Sequence, residues 1–325
     1  MTYGRALLPR FYMDNVNWLA SRGKSRNAMI GINSGAGFDD LNSGFTKYQL
    51  FDMNPNNFVT FDTDTGTDTV SITIDFGTNT PSDSITFMNH NINSAGGRIR
   101  IAHDTSAITT ENGGNTAPLT EVLNGTVAGN IATPAADGET ILKFTSSSER
   151  YWAIEIYDVS TWTDDLQIGN IVLGEYYTMT VHPDMPTNRD TSMSGVSVRE
   201  SAGGEFFGSA SWLSANEGVG TYSPFRSDTY FKRVAGREAY DLSYSYIADT
   251  SVYPSDRADS TGSSNFLADV VNKAGMSLIP FVWVPDSTSS TEGDYLYARF
   301  DQNSFSTSSP SANVENFSAR IVQEF

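Results

Sequence analysis

The chain has 325 residues, no cysteine, and 38 acidic against 20 basic residues, which gives a formal net charge of -18. The missing cysteine excludes disulfides, thiolate metal sites and cysteine nucleophiles. The acidic excess argues against a nucleic-acid partner, because a protein must neutralise phosphates in order to bind them. No apolar run approaches the roughly 20 residues that span a bilayer, so no membrane span is predicted. The N-terminus lacks the features of a secretion signal, and we expect synthesis and folding in a cytoplasm.

The first part of the chain combines an apolar patch with the glycine-rich letters GINSGAGFDDLNSG. Single hydrophobic cores usually stop growing near ~250 residues, so the length favours two domains preceded by a shorter segment. Aromatic residues are enriched at subunit interfaces, and symmetric assembly buries surface that a chain without disulfides leaves weakly stabilised. We therefore predict an N-terminal arm over residues 1–45, with Tyr12 and Trp18 as contacts to neighbouring subunits in a homo-oligomer.

Residues 71–104 read as three short strands. Ile72, Ile74 and Phe76 alternate with polar residues, which is the period of a half-buried strand. Strands are also predicted at residues 84–88 and 98–103. Turn-forming residues separate the first two strands, namely Gly77, Asn79, Pro81 and Asp83.

A second set of strands follows about fifty residues later. Trp152, Ile154 and Ile156 alternate with less apolar neighbours, and residues 168–173 form another strand closed by a glycine. The polar insert between the two sets, residues 106–138, is too long for an ordinary connection. It is either a functional loop or carries short strands of its own. Together the two sets predict a β-sandwich over residues 46–180.

The composition changes after the sandwich, where the letters HPDMPTNRDTSMSG predict a linker at residues 181–195. A second, mainly β domain is predicted over residues 196–325. The one persuasive helix lies near residues 265–274, where Asn265 can cap its start and Gly275 can end it. The predicted fold class is therefore all-β, with a sandwich followed by a β-domain that contains one short helix.

The sequence contains no recognisable catalytic motif. The three histidines, His90, His103 and His182, do not form metal-ligand pairs, and no nucleophile elbow, phosphate-binding loop or zinc-binding helix motif occurs. A pair of carboxylates facing each other in a cleft would leave no sequence pattern, so a polysaccharide-cleaving enzyme stays as a third alternative. We predict no catalytic residues, no metal site and no cofactor.

Four motifs in the first half carry a family resemblance: FDMNPNNFVTF, the I-x-I-D-F-G strand at residues 72–77, ITFMNHN, and RYWAIEI at residues 150–156. In combination they resemble the discoidin, or galactose-binding-like, jelly roll. With IGNIVLGEYY and the second half, they are similar to structural proteins of tailed bacteriophages. The resemblance covers residues 48–177 by motif and the remainder by general pattern. It carries no catalytic motif.

The discoidin resemblance implies sugar binding by loops at one end of the sandwich. Asparagine, aspartate and histidine side chains there can form hydrogen bonds with sugar hydroxyls, and Phe51 or Phe58 offers an aromatic face. The candidate carbohydrate-binding residues are Asp52, Asn54, Asn57, Asn89, His90 and Asn91. The alternative is that these polar residues satisfy the backbone of their own turns, as Asn and Asp commonly do.

The missing catalytic motifs and the phage resemblance predict a non-enzymatic virion component of the tail, tail tip, baseplate or collar. Its expected partners are other virion structural proteins, and its expected location is the virion, after synthesis in the host cytoplasm. The alternative is a carbohydrate-binding module in host recognition, with a host surface glycan as its partner. An electron-microscopy map of a particle separates the first hypothesis from an unassembled protein, and a glycan array tests the second.

Overall fold

The computed structural model describes residues 8–324, except residues 36, 64–68, 159–160, 186, 193–195, 201, 204–205, 211–236 and 255–263. Strands make up 51% of the chain and helices 12%, which confirms the all-β prediction. Parts of the predicted linker and of the predicted second domain, including residue 195 where they meet, lie outside the described residues.

The strands, in chain order, are β1 (Arg10–Tyr12), β2 (Ile30–Ile32), β3 (Val59–Phe61), β4 (Val70–His90), β5 (Gly97–Asp104), β6 (Asn115–Thr116), β7 (Leu119–Leu123), β8 (Gly125–Ala128), β9 (Ile131–Pro134), β10 (Gly138–Asp158), β11 (Leu166–Ile168), β12 (Asn170–Gly174), β13 (Tyr176–Thr178), β14 (Asn188–Ser192), β15 (Val196–Glu200), β16 (Phe206–Ala210), β17 (Arg237–Ala248), β18 (Phe281–Val284), β19 (Leu296–Phe300), β20 (Thr307–Ser311) and β21 (Val314–Gln323). The α-helices are α1 (Asn15–Ser21), α2 (Arg26–Met29), α3 (Asp249–Val252) and α4 (Asn272–Ala274). 3-10 helices lie at Lys47–Phe51 and Glu292–Asp294, and a π-helical segment lies at Leu267–Val271.

Two strands of 21 residues, β4 and β10, pair with each other and belong to both layers of a β-sandwich. In the first layer, the start of β4 pairs with β2 and the end of β10 pairs with β5. In the second layer, the end of β4 pairs with β12 and the start of β10 pairs with β7. The register of the long pair shifts three times, once at its end between Gly138 and Glu139, and twice in the middle, between Lys143 and Ser147 and between Glu149 and Tyr151. The two irregularities in the middle bend both strands from one layer into the other.

Apolar side chains from both layers meet between them and form the core of the sandwich. Ile72, Ile74 and Ile154 come from the first layer, and Phe87 and Leu142 come from the second. All five are at most 1% exposed. The alternation that predicts strands near residues 71–76 and 152–157 therefore reports which side chains face inward.

The bend of β4 differs from the turn predicted at residues 77–83. The backbone N–H of Gly77 donates to Asp75 Oδ1 at 2.7 Å, which is turn chemistry, and Gly77 has a φ of 71°. Nevertheless Pro81 pairs with Ser148 of β10, and the strand continues. Pairing with an equally irregular partner strand keeps this segment in the sheet despite its turn-forming composition.

The insert at residues 106–138 forms four short strands, β6 to β9, which join the edges of the sandwich. Of the two alternatives predicted for this insert, a functional loop or short strands, the structure supports the short strands. Arg100 of β5 fixes the loop before β6, because its guanidinium donates to the carbonyl oxygens of Gly113 at 3.1 Å and Gly114 at 3.3 Å. It also donates to Glu155 Oε2 at 2.5 Å.

A second sheet runs in the order β13-β1-β18-β19-β21-β17-β14, with β20 on β21. The N-terminal strand β1 is an inner strand of this sheet, between β13 and β18. The arm predicted over residues 1–45 is therefore placed differently in the structure: β1 belongs to the second sheet, whereas residues such as Val16 and Met29 pack into the sandwich core. Phe11 and Tyr12 face opposite sides of the sheet, and both sides are covered.

One face of the second sheet packs against the helical segment of residues 267–274, close to the helix predicted at residues 265–274. Asn265 Oδ1 accepts from the backbone N–H of Ala268 at 2.9 Å, and Gly275 ends the segment with a φ of 54°. Phe266 and Val270 are buried against β1, β18 and β21. The capping residues of the sequence thus fix both ends of this segment.

The other face of the second sheet packs against the outer face of the second sandwich layer. The side chains that meet there are apolar or aromatic and at most 5% exposed, and they are Tyr12, Val282, Val284, Tyr295 and Tyr297 from the sheet and Met88, Leu123, Ile141 and Val172 from the sandwich. Both faces of the second layer are therefore buried, which explains why β12 is apolar at nearly every position.

Asp83 lies near the edge of this contact, and burial raises its pKa to about 7. Its Oδ1 accepts from the backbone N–H of Tyr176 at 2.8 Å, and the nearby Glu175 carboxylate raises the pKa further. Because the pKa of Asp83 is higher in the folded protein than the ordinary value of 3.8, the protonated carboxyl contributes its full stabilisation of the folded state at pH values below 3.8. This contribution is lost as the pH rises through about 7.

Asp83→Asn is therefore expected to raise the free energy of unfolding at pH 8 by on the order of 2 to 4 kcal/mol, with the gain disappearing near pH 4. Urea unfolding at both pH values measures this difference. Asp40→Asn, at an exposed carboxylate, is the charge-matched control. An Asp83→Asn gain of equal size at pH 4 and pH 8 would contradict the assignment.

Candidate functional site

Three segments meet at the end of the sandwich where β4 finishes, and together they are called the rim: residues 45–58, residues 89–96 and residues 162–169. Asn89 Nδ2 donates to the Pro55 carbonyl oxygen at 2.7 Å, and this bond joins the first two segments. Asn91 Nδ2 donates to the Asp165 carbonyl oxygen at 2.8 Å and joins the second to the third. The structure thus brings together the two groups of candidate sugar-binding residues, which are distant in sequence.

The first group folds into a turn held by its own side chains. Asp52 Oδ1 accepts from the backbone N–H of Asn54 at 2.8 Å, and Asp52 Oδ2 accepts from Asn57 Nδ2 at 2.5 Å. Asn54 Oδ1 accepts from the backbone N–H of Asn56 at 3.2 Å. Burial raises the pKa of Asp52, although these hydrogen bonds oppose the shift. Asn56 is the exposed amide of this turn.

His90 is 3% exposed and lies inside the sandwich. Its Nδ1 accepts from the backbone N–H of Ile92 at 3.2 Å, so the ring proton belongs on Nε2, which lies 3.0 Å from Thr140 Oγ1. Burial lowers the pKa of His90 to about 4, and the ring is therefore neutral at pH 7. Substitution of His90 would act on the fold first and is a poor test of sugar binding.

The polar side chains of Asn89 and Asn91 are also hydrogen-bonded within the protein. Asn91 Oδ1 accepts from the backbone N–H of Gln167 at 2.6 Å, in addition to the bond donated by its amide. Asn89 has a φ of 53°, a conformation that asparagine tolerates better than most residues. The observed bonds match the alternative in which these residues satisfy their own turns, and the sugar-binding assignment of the six residues stays a prediction.

An aromatic pair forms the exposed part of the rim. Phe58 is 40% exposed, and its ring centroid lies 6.4 Å from that of Phe45, with 33° between the ring planes. Phe51, the other aromatic face predicted from sequence, is 0% exposed and belongs to the core. Phe58 is therefore the aromatic surface that the rim offers to a ligand.

Sequence reasoning missed two residues that position this surface. Gln49 Nε2 donates to Asn57 Oδ1 at 2.9 Å, and Gln49 Oε1 accepts from the backbone N–H of Thr46 at 2.8 Å. The contact between Gln49 and Thr46 belongs to a capping box on the turn Lys47–Phe51, directly after Phe45. The letters T-K-Y-Q carry the corresponding signal, a Thr with a Gln three residues later.

The two aromatic residues predicted to mediate assembly have intramolecular contacts. Tyr12 is 1% exposed between the sandwich and the second sheet, so its side chain is not available to another subunit. Trp18 is partly buried, with the Arg22 guanidinium 5.1 Å and the Lys273 ammonium 5.7 Å from its ring centroid. The sequence predicts an exposed Tyr12 because it does not show that β1 is covered on both faces.

Within the described residues, no group of three or more His, Cys, Asp or Glu side chains is placed to hold a metal ion. No helix in the described part of the chain is long and apolar enough to cross a membrane.

No protein-family model matches the sequence, and no curated protein does either. Solved structures give partial likenesses. Chitosan-binding module 1 from a chitosanase/glucanase of Paenibacillus sp. IK-5 is 15% identical, and the match covers 44% of this chain and 92% of that module at a TM-score of 0.30. A CBM32-3 module from a family 31 glycoside hydrolase of Clostridium perfringens is 12% identical, with 47% and 96% covered and a TM-score of 0.33. A pectin-binding carbohydrate-binding module is 12% identical, with 44% and 87% covered and a TM-score of 0.31.

Proposed function

We propose that this chain is a non-enzymatic binding protein whose rim binds carbohydrate, with Phe58 as the stacking surface. The observation that supports this proposal is a 40% exposed aromatic ring, backed by Phe45 and bordered by the amides of the turn at residues 52–57. Most large apolar side chains of the described residues are buried. Tyr246 is more exposed than Phe58, at 71%, but Phe58 is the exposed aromatic residue that lies on the rim.

The physical basis is the two-sided character of a sugar ring. Its C–H groups can pack on the flat face of an aromatic side chain, which provides a large apolar contact area with little conformational entropy to lose. Its hydroxyls need both donors and acceptors, and an amide supplies both. Asn56 presents an exposed amide two residues before Phe58, whereas Asn57 is already engaged by Gln49 and Asp52.

Rigidity also favours this site. The capping box before the turn and the Asp52 bonds within it hold residues 46–57 in one conformation before any ligand arrives. A site that is already ordered loses less entropy on binding than a loose loop does. The internal hydrogen bonds of Asp52, Asn54 and Asn57 therefore serve as support for the surface formed by Phe58 and Asn56.

Phe58→Ala is expected to weaken binding to a responsive glycan by about tenfold or more, because it removes the stacking face. A glycan array that includes chitosan and pectin oligosaccharides, for which two of the similar structures are named, identifies the ligand, and calorimetry measures the affinity. Val127→Ala, at a valine that is 42% exposed on β8, is the matched control and should bind normally. Unchanged binding by Phe58→Ala, or an array without any hit, would contradict the proposal.

The phage resemblance supports a second candidate, a structural component of a virion that also carries this rim for host recognition. Its support is the set of motifs in residues 48–177, which lie in β4, β10 and β12 and in the rim. Electron microscopy of a particle tests it, since the chain should repeat around a ring of tail, tail-tip, baseplate or collar subunits. A monomer that no particle contains would remove this candidate without affecting the glycan proposal.

A further inference from the structure

A cleft of about 330 Å³ lies between the sandwich and the second sheet, and Met53 of the rim is one of its lining residues. Its lining is half apolar and half polar or charged, and the residues are Asn17, Ala20, Ser21, Lys24, Arg26, Met53, Leu278 and Ile279. Three separate parts of the chain contribute to it: the segment from α1 to α2, the turn at residue 53, and the loop before β18. Ligand pockets commonly have this size and this mixture of apolar walls with a few polar groups.

Two cations line this cleft in a chain whose formal net charge is -18. Lys24 and Arg26 form no ion pair in the part of the chain that the structure describes. Most other basic residues of known placement, such as Arg100, Arg150 and Arg320, have a carboxylate partner. Two unpaired cations facing the same cleft are therefore available to a ligand.

Both cations are held in place by hydrogen bonds to neutral groups. The Lys24 ammonium donates to the carbonyl oxygen of Phe76. The next residue is Gly77, and a Cβ at that position would lie only 2.7 Å from Lys24 Nζ, so the glycine leaves room for the ammonium. The Arg26 guanidinium donates to Asn17 Oδ1. These bonds orient the cations without neutralising their charge. Since their positions are fixed, less conformational entropy is lost when an anion binds.

The charges behind the cleft favour an anion with a single negative charge. Arg26 is close enough to Asp14 and Asp52 to lower the pKa of both carboxyls, although burial has the larger, opposite effect. Asp14 is buried behind Asn17, which bonds it through both its backbone N–H and its side-chain amide. The negative charge of these two carboxyls offsets part of the positive potential of Lys24 and Arg26, so the site attracts a doubly charged anion less strongly than the two cations alone would. A carboxylate carries one charge, and its planar shape matches the planar guanidinium of Arg26.

We propose that this cleft binds a small organic carboxylate, of about the size of one sugar acid, with its carboxylate between Lys24 and Arg26. The body of the ligand packs against Met53, Leu278 and Ile279, and Asn17 and Ser21 border its polar side. Neither Phe58 nor Asn56 lines the cleft, so the inference does not depend on the proposed function.

Calorimetric titration of the full chain at low ionic strength tests this site, with sodium D-glucuronate as the probe. D-glucuronate is expected to bind, D-glucose to bind at least about tenfold more weakly, and D-glucose 6-phosphate to gain nothing over D-glucuronate. Arg26→Gln and Lys24→Gln should each weaken D-glucuronate binding about tenfold or more. Lys47→Gln is the matched control, because Lys47 also donates to a backbone carbonyl, that of Ile30, but lies outside the cleft.

A second variant separates binding from folding, since Arg26 also contacts buried groups. Leu278 is 57% exposed at the cleft, so Leu278→Glu should repel the carboxylate while leaving the thermal midpoint close to that of the natural chain. Val127→Glu is its control. Equal binding of D-glucose and D-glucuronate, no binding of either, or normal D-glucuronate binding by Leu278→Glu would each overturn the proposal. Normal D-glucuronate binding by Phe58→Ala is expected and distinguishes this site from the surface formed by Phe58 and Asn56.

Discussion

Deletion of residues 1–13 is expected to prevent the second sheet from folding. Phe11, Tyr12 and Met13 are at most 1% exposed, and β1 pairs with β13 on one side and with β18 on the other. Truncating a buried large side chain commonly costs ~2–5 kcal/mol, so losing all three removes roughly 6 to 15 kcal/mol. That loss is comparable to the whole free energy of unfolding of an ordinary domain, about 5 to 15 kcal/mol.

Hydrogen exchange measured by mass spectrometry follows this effect strand by strand. Peptides that cover β18 (Phe281–Val284) should lose protection in the shortened chain. Deletion of residues 1–7 leaves β1 intact and is the matched control. Full protection of β18 after deletion of residues 1–13 would mean that the second sheet folds without β1 and would contradict this prediction.

Arg100→Met is expected to lower the free energy of unfolding by about 3 to 5 kcal/mol, because it leaves the Glu155 carboxylate buried without its cation. Glu155 is 1% exposed, and burial raises its pKa while Arg100 opposes the shift. The same substitution removes the donors that hold the carbonyl oxygens of Gly113 and Gly114. Chemical denaturation measures the loss.

The exposed ion pair on the same sheet provides the control. Arg150 donates to Asp75 through two bonds of 2.6 and 2.8 Å, but its side chain is 42% exposed. Arg150→Met should therefore cost no more than about 1 kcal/mol. In the double variant Arg100→Met, Glu155→Leu, much of the lost stability should return, because both charges are then gone. A loss as small for Arg100→Met as for Arg150→Met would show that water reaches Glu155.

The sandwich could be predicted from sequence because its strands bury alternate side chains on one face. Ile72, Ile74 and Ile154 carry that signal locally. The role of β1 could not be predicted in this way, since a three-residue strand buried on both faces has no alternation to detect. The continuation of β4 through Pro81 was missed for a different reason: the deciding factor is the partner strand, which is distant in sequence.

Part of the candidate site could also be predicted from the sequence. Turn residues that follow strands identified the rim, but the bonds of Asn89 to Pro55 and of Asn91 to Asp165 depend on contacts that only the folded chain creates. Exposure separates Phe58 from Phe51, although both flank the same turn. The cleft of Lys24, Arg26 and Leu278 was beyond local reasoning, because its walls come from segments that are far apart in sequence.

The pairing of Phe11 with Trp283 has a consequence for biosynthesis. The ribosome makes β1 before any strand of the sandwich, and it makes the partner strand β18 well after Gly174, which completes the sandwich. Domains fold as they leave the ribosome, so the sandwich closes while β1 still has an unpaired, apolar edge. Slow translation of residues 175–284 therefore prolongs an aggregation-prone intermediate, and the need for chaperones should rise as translation of this segment slows.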